Sequence, residues 1–295
     1  MPQTPDMHLL DYLIQHYKDQ SRSRLKRLLA SGAVTVDGEA RTQFDYEVTP
    51  ASDVQISRKS RILRTPSGPA RNMQKFVHIV YEDKWLLVVD KAVGVLSVPS
   101  GHHGFCLKTL LDEYLQRRGE KCTTHVVHRL DKMTSGLLLY AKSRQVQQAF
   151  TDHWREVITD RRYYAVTSGI PNPPSGTIRS YLTDDKFYYT HSSPTDDGGK
   201  LSVTHYHLLQ VLDAHHALLD MKLETGRKNQ IRVHLQDIGC PVVGDLKYGN
   251  GDAPIHRLGL HAYRLCFIHP VTGKALSFET PLPVSFDLSS ELQQK

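Results

Sequence analysis

The sequence predicts an α+β protein in two unequal parts, and three observations predict it. Near the start, two helical patterns precede a small β element. From residue 76 onward, short apolar strands alternate with helical stretches. Between the two, residues 58–75 carry Arg58, Lys59, Arg61, Arg64, Arg71 and Lys75 with no acid, and Pro66, Gly68 and Pro69 break any periodicity. The expected boundaries are 6–58 for the front module, 59–75 for a basic linker and 76–288 for the larger domain.

The elements follow in order. Leu9, Leu10, Leu13 and Tyr17 mark an amphipathic helix. Ser21 offers an N-cap for a second helix, Arg22 to Ala30. Leu25, Leu28 and Leu29 form its apolar stripe, while Arg22, Arg24, Lys26 and Arg27 load the rest with positive charge. Gly32 stops it, and Val34-Thr35-Val36 with Asp37-Gly38 begins a hairpin. In the larger domain Leu86–Val89 reads as a buried strand, followed by turn residues Gly94 and Pro99. Thr109 to Arg117 is helical. Val126–Val127 and Leu137–Tyr140 are short strands around a polar loop, and Ser143 caps a helix with Val146, Phe150, Trp154 and Val157 at helical spacing. Trp154 is expected in the core. Arg161–Val166 begins a strand whose alternation sends Tyr163 and Tyr164 to opposite faces. Residues 177–209 form a β excursion with a turn at Asp197-Gly198-Gly199. A strand ending at Leu223 leads through Thr225-Gly226-Arg227 into a helix with Ile231, Leu235 and Ile238 on one face, stopped by Gly239. Donors at that helix start suit a phosphate or carboxylate.

Composition narrows the function. At 295 residues, 39% hydrophobic and 23% charged, the chain has ample length for a core. No apolar run approaches the roughly 20 residues of a membrane span, and MPQTPDMHLLDYLIQHY lacks the pattern of a secretory signal. A cytoplasmic monomer without a membrane partner is expected. Cys106, Cys122, Cys240 and Cys266 form no CxxC pair, which points to reduced thiols. The histidines include the adjacent pairs His102-His103 and His215-His216 but no HExxH spacing, so no metal site is expected. Net charge is +6, of which residues 1–75 carry +4, with 12 Lys/Arg against 8 Asp/Glu. A basic front on a near-neutral body suggests a polyanion partner.

The loop between the two short strands carries the chemistry. Asp131 stands there with cations on both sides, which keep it ionised. His128-Arg129-Leu130-Asp131, two residues, then Thr134-Ser135-Gly136 resembles the catalytic string of the RluA-type pseudouridine synthases, in which the Asp is catalytic. Lys91-x-x-Gly94, Arg161-x-Tyr163-x-Ala165 and Gly199-Lys200 with Thr204-x-Tyr206 are similar to further motifs of that family. So are Thr225-Gly226-Arg227 with Gln230-Ile231-Arg232-x-His234, Gly239-x-Pro241 with Gly244-Asp245 and Tyr248-Gly249, and His269-Pro270-x-x-Gly273. The chain departs at Asn229, where His is usual; Asn can donate a hydrogen bond but cannot titrate near neutrality. The two front helices with VTVDG resemble the S4 RNA-binding module.

The resemblance implies a mixed, largely antiparallel β catalytic domain flanked by helices, and isomerisation of uridine to pseudouridine without cofactor or metal. It implies Asp131 as the carboxylate acting at the sugar, by attack on C1′ or by abstraction of the 2′ proton. Arg232 would be its counter-ion and Tyr163 the residue against the uracil. Leu130 and Ile231 would wall the base, Arg129 would fill the vacated stack or hold a phosphate, and Arg227 would contact RNA together with Arg22, Arg24, Lys26 and Arg27. The substrate favoured is large-subunit rRNA, with tRNA second. A non-catalytic RNA-binding or ribosome-assembly protein of the same fold is the alternative. A kinase is disfavoured by the missing His-Arg-Asp order and phosphate loop, and a nucleoside hydrolase by the lack of clustered Asp.

Overall fold

A computed structural model describes residues 7–30, 32–56, 73–100 and 105–288. The chain divides into two compact units, Met1–Arg71 and Asn72–Lys295. In the first, β1 (Met7–His8) leads directly into α1 (Leu9–His16), followed by α2 (Arg22–Ala30), β2 (Val34–Val36), β3 (Glu39–Ala40), β4 (Glu47–Val48) and β5 (Val54–Ile56). The Ser21 hydroxyl accepts the Arg24 amide at 3.3 Å, the expected N-cap. Gly32, at φ +66°, lets the Ala33 amide reach the Leu28 carbonyl and close the helix. Asp37 and Gly38 both have positive φ, as the tight turn between β2 and β3 requires. Leu9, Leu13, Leu25, Leu29, Val34 and Val36 form this unit's core.

Most of the expected linker, residues 59–72, lies outside the described residues. Its last three, Met73–Lys75, form a 3-10 turn of the second unit, and Met73 packs on that unit's core.

The second unit is built on one sheet. Its elements are β6 (Val77–Glu82), β7 (Leu86–Lys91), α3 (Leu107–Arg117), β8 (His125–Val126), β9 (Ser135–Ala141), α4 (Arg144–Asp152), α5 (Trp154–Val157) and β10 (Ile158–Ser168). After these come β11 (Ser175–Asp184), β12 (Thr190–Ser193), β13 (Lys200–Val211), β14 (His216–Leu223), α6 (Gln230–Asp237), β15 (Leu260–Ile268) and β16 (Ala275–Glu279). The strand order is β12-β11-β13-β14-β10-β15-β9-β7-β6, with β16 beside β15 and β8 beside β9. Every strand pairing here is antiparallel except β9 with β15. The expected mixed, largely antiparallel sheet with flanking helices is present.

Alternation assigns the two faces. Leu87 and Val89 of β7 and Leu138 and Tyr140 of β9 pack with Leu107, Leu111 and Leu115 of α3, Tyr163 of β10 and Ile231 and Leu235 of α6. Leu86, Val88, Leu137 and Leu139 turn the other way, onto Val146 and Phe150 of α4. Tyr164 lies opposite Tyr163 and stacks on Tyr263, with ring centroids 3.8 Å apart. The parallel step has a steric condition. Gly136, at φ +112°, lies so close to β15 that a Cβ would fall 2.2 Å from the Ala262 carbonyl oxygen.

One helix differs from expectation. The segment after Ser143 does not run unbroken to Val157, because His153, at φ −117° and ψ 30°, leaves the helical region and separates α4 from α5. The break changes the direction in which Trp154 points.

Candidate active site

The loop from His128 to Thr134 joins β8 to β9 and is clamped from below. The Thr134 amide donates to the Asp131 carbonyl at 3.1 Å, closing a turn. The Ser97 hydroxyl donates to the Leu130 carbonyl at 2.8 Å and accepts the Leu130 amide at 3.2 Å. Gly94 N–H and Lys91 Nζ both donate to the Lys132 carbonyl, at 2.9 and 3.2 Å. Lys91 is fully buried and also donates to the Ala92 and Val95 carbonyls. Burial pushes its ammonium down to about 7, against the opposing pull of the Asp131 charge. The buried Lys91 amino group at the root of the loop therefore helps hold the segment that presents Asp131.

The opposite wall is the start of α6. Arg232 Nη1 lies 3.3 Å from Asp131 Oδ2. Its stronger partner is Asp245: Nε and Nη2 donate to the two carboxylate oxygens at 2.6 Å each. The expected Asp131–Arg232 contact is thus present, and the same guanidinium carries a second acid, Asp245, that the expectation did not include. Burial opposes both charges of the Arg232–Asp245 pair. The hydrogen bonds between them outweigh it, raising the guanidinium and holding the Asp245 carboxyl below the usual carboxylate range. The Asp131 charge adds to the rise at Arg232.

Asn229 occupies the left-handed region at φ +55°, where Asn is among the tolerated residues. Its Oδ1 accepts from Arg232 Nη1 at 2.8 Å, and its Nδ2 donates to Thr190 Oγ1 and the Tyr248 hydroxyl. The residue that departs from the family pattern thus orients the arginine. Just before the helix, Gln230 Oε1 accepts the Arg227 amide and the Thr225 hydroxyl, which fixes the Thr225-Gly226-Arg227 turn.

Between the walls lies a cavity of about 1000 Å³. Asp131, Arg129, Leu130, Tyr163, Arg227 and Arg232 line it, and Ile231 lines an adjoining recess with Leu130, Asp131 and Tyr163. Leu130 and Ile231 are buried in the core, whereas Arg129 and Arg227 are exposed. Burial raises the Tyr163 phenol; the Arg161 charge opposes the rise and the Asp131 charge supports it, and the net rise keeps the phenol protonated. Trp154, expected in the core, packs partly there yet also lines the cavity, with the Arg161 guanidinium 4.9 Å over its ring. Arg161 is buried and also donates to the Thr225 carbonyl at 3.4 Å. The nearby His128 is pushed down to about 3 by burial and then by Arg161, so its imidazole is neutral. Arg22, Arg24 and Lys26 are exposed on α2 of the first unit, and the Arg27 side chain lies outside the described residues.

A family model described as RNA pseudouridylate synthase matches residues 85–237, which include both walls of this cavity. An RNA pseudouridine synthase of Bacillus subtilis is 34% identical over 284 residues, covering 92% of this chain and 89% of that protein. The chain belongs to the RNA pseudouridylate synthase family.

Two further relatives of this pseudouridine synthase are named for their RNA. Ribosomal large subunit pseudouridine synthase D of Neisseria meningitidis is 35% identical, covering 90% of this chain and 73% of that protein. Ribosomal large subunit pseudouridine synthase C of Rickettsia felis is 36% identical over 96% of each. The solved structure of human RNA pseudouridylate synthase domain containing 4 shares the fold, with a TM-score of 0.59 over 73% of this chain and 92% of that one, at 24% identity.

The structure of the synthase also places around the cavity residues whose part in it the sequence alone does not signal. Asp245 and Lys91 were visible only as letters of Gly-Asp and Lys-x-x-Gly strings. Ser97 carried no signal, since its contact with Leu130 spans 33 positions. Arg161 is visible only as the basic letter of the Arg161-x-Tyr163-x-Ala165 string; its stacking over Trp154 depends on the break at His153.

Proposed function

We propose that this synthase isomerises uridines in large-subunit ribosomal RNA, with Asp131 as the carboxylate that works at the sugar. The observation that supports this most is the contrast within one ion network. Asp245 is fully engaged by Arg232 and backbone amides, while Asp131, among the described residues, keeps an oxygen edge open to a cavity large enough for a nucleotide and part of its surroundings. The names of the Neisseria and Rickettsia relatives support the choice of RNA.

The reaction breaks N1–C1′, turns the uracil and joins C5 to C1′; C5 then loses a proton and N1 takes one up, so that the sum is an isomerisation. A uridine stacked in RNA cannot reach Asp131, so the nucleotide flips out of the strand into the cavity. Arg232 gives the carboxylate a cation beside it without enclosing it. Tyr163, neutral and buried, packs against the uracil face, and Leu130 and Ile231 complete the wall. Exposed Arg129 and Arg227 meet phosphates at the mouth.

The first unit acts as a second grip. Its helix–helix–β order and the exposed Arg22, Arg24 and Lys26 support an S4-like role. Replacing these three by Ala should flatten the salt dependence of binding by about 0.7 in log–log slope for each lost contact to single-stranded RNA. The decisive test is tritium release from ribosomal RNA labelled at uridine C5, with pseudouridines mapped by sequencing. Release from transfer RNA alone would overturn the choice of RNA, and no release from any RNA would overturn the activity.

A further inference from the structure

The hairpin between β11 and β12 carries two aromatic rings into solvent at the cavity mouth. Phe187 is 76% exposed and Tyr188 75%, and both line the cavity that contains Asp131. Rings this exposed lie in a tip whose backbone is nevertheless well held. Asp185 Oδ1 accepts the Phe187 and Tyr189 amides at 2.8 Å each. The Tyr188 carbonyl accepts from Lys228 Nζ at 2.9 Å and from Lys247 Nζ at 2.6 Å. Tyr188 sits at φ +61°, a left-handed conformation unfavourable for a bulky side chain. The fold therefore holds the tip in a strained shape that leaves both rings outside. An ammonium stands over each ring, Lys186 at 5.0 Å from Phe187 and Lys228 at 5.3 Å from Tyr188.

We propose that Phe187 and Tyr188 form a stacking platform for unpaired RNA bases beside the reacting uridine. The proposal rests on the assignment of an RNA substrate to this cavity. Sites for single-stranded nucleic acid combine aromatic faces, which accept any base, with cations along the phosphates. Lys186, Lys228, Lys247 and Arg227 supply those cations here. A protein-docking patch has a different composition, since lysine is depleted at the centre of such interfaces. Flipping one nucleotide leaves its neighbours unstacked. A platform at the mouth restacks them and so lowers the cost of extrusion. Because stacking does not read base edges, it tolerates varied sequence around the target.

The test compares two fluorescent probes of equal length and charge: a short oligouridylate, and the same ribose-phosphate strand without bases. Full-length wild type, Phe187→Ala, Tyr188→Ala, Phe187→Leu and Phe187→Tyr are titrated with each. Wild type should prefer the base-bearing strand. Each Ala variant should weaken that strand about fivefold or more and leave the abasic one unchanged. Phe187→Leu keeps apolar bulk but lacks a ring face, so it should behave like Ala, whereas Phe187→Tyr should bind like wild type. Equal losses on both probes, no loss, or no preference by the wild type would each overturn the platform. Tritium release by the wild type on ribosomal RNA separates the two levels of the argument. Turnover with unchanged binding by the ring variants sinks the platform alone; absence of both turnover and RNA binding sinks the substrate assignment with it.

Discussion

Asp131 and Asp245 contact the same arginine and live in different surroundings. Asp245 has a side chain with no exposure, a two-pronged ion pair with Arg232, and two backbone amides, Lys247 and Tyr248, on its Oδ1. Asp131 has a side chain 36% exposed and, among the described residues, a single 3.3 Å side-chain contact. A carboxylate whose lone pairs are all taken holds structure, because each bond must be given up before it can react. One with a free edge facing a cavity can meet a substrate at no such cost. The arginine serves both: fixed by Asp245 and Asn229, it presents its remaining direction to Asp131.

The sharpest way to break this comparison is to remove the two charges separately. Asp131→Asn should lower turnover on the order of 10⁴-fold, as removal of a reacting group does. Affinity for RNA and melting temperature should stay close to wild type, since phosphate contacts carry most of the binding. Turnover by the variant near the wild-type rate would reverse the roles assigned to the two acids. Asp245→Asn should instead destabilise the fold by about 3–5 kcal/mol, because it strands a buried guanidinium. Urea denaturation of both variants makes the contrast visible, and equal stabilities would dissolve it. Arg232→Met is the less discriminating change, as it strips both acids at once and lowers stability and activity together.

Much of the fold was legible for a local reason. Ser21, Gly32, Asp37-Gly38 and Gly239 act within a few residues, so caps and turns were readable, and the opposite faces of Tyr163 and Tyr164 follow from strand alternation alone. Asp131, Tyr163 and Arg232 came as parts of a motif, and the structure brings them to one cavity. What stayed hidden depends on distance along the chain. Arg232 takes Asp245 as its main partner because the loop after α6 folds back over it, and no spacing announces that. Trp154 showed helical periodicity, but the break at His153 turned it toward the cavity. Lys91 stands in the sequence only as the first letter of a Lys-x-x-Gly string, yet three carbonyls surround its ammonium.

Lys91 gives the comparison a pH dimension. Its folded value of about 7 lies below the ordinary 10.5. Between those limits the unfolded chain holds a proton that the folded chain has released. Stability should therefore rise with pH through that window, by at most about 1.4 kcal/mol per pH unit, and carry no Lys91 slope below it. Asp245 acts at the other extreme: its depressed value gives stability that is present above the ordinary aspartate range and lost as pH falls through the folded value. Denaturant midpoints of wild type and Lys91→Met between pH 6 and 10 isolate the first effect. A slope that survives in the Met variant would assign it to other groups.

The smallest effect expected is at Asn229, and it sharpens the division most finely. Asn229→Ala removes one bond to Arg232 Nη1, the same nitrogen that faces Asp131, and leaves the two prongs on Asp245 intact. Stability should fall by only about 1–2 kcal/mol, from the lost hydrogen bonds and the left-handed backbone. Activity should fall about tenfold or less, since the guanidinium stays anchored while the edge that faces Asp131 loosens. Asn229→His asks whether this position moves a proton or only holds the arginine. A neutral imidazole tolerates the same backbone region and can accept from one side while donating on the other. If the position only orients Arg232, the His variant should keep activity and the wild-type pH–rate profile above neutrality. It should lose rate only as acid protonates the ring and removes its acceptor. A rate above wild type that rises as the His deprotonates would instead show proton transfer through this position. Arg232 would then no longer be the sole link between position 229 and the chemistry at Asp131, although Asn itself cannot carry the proton.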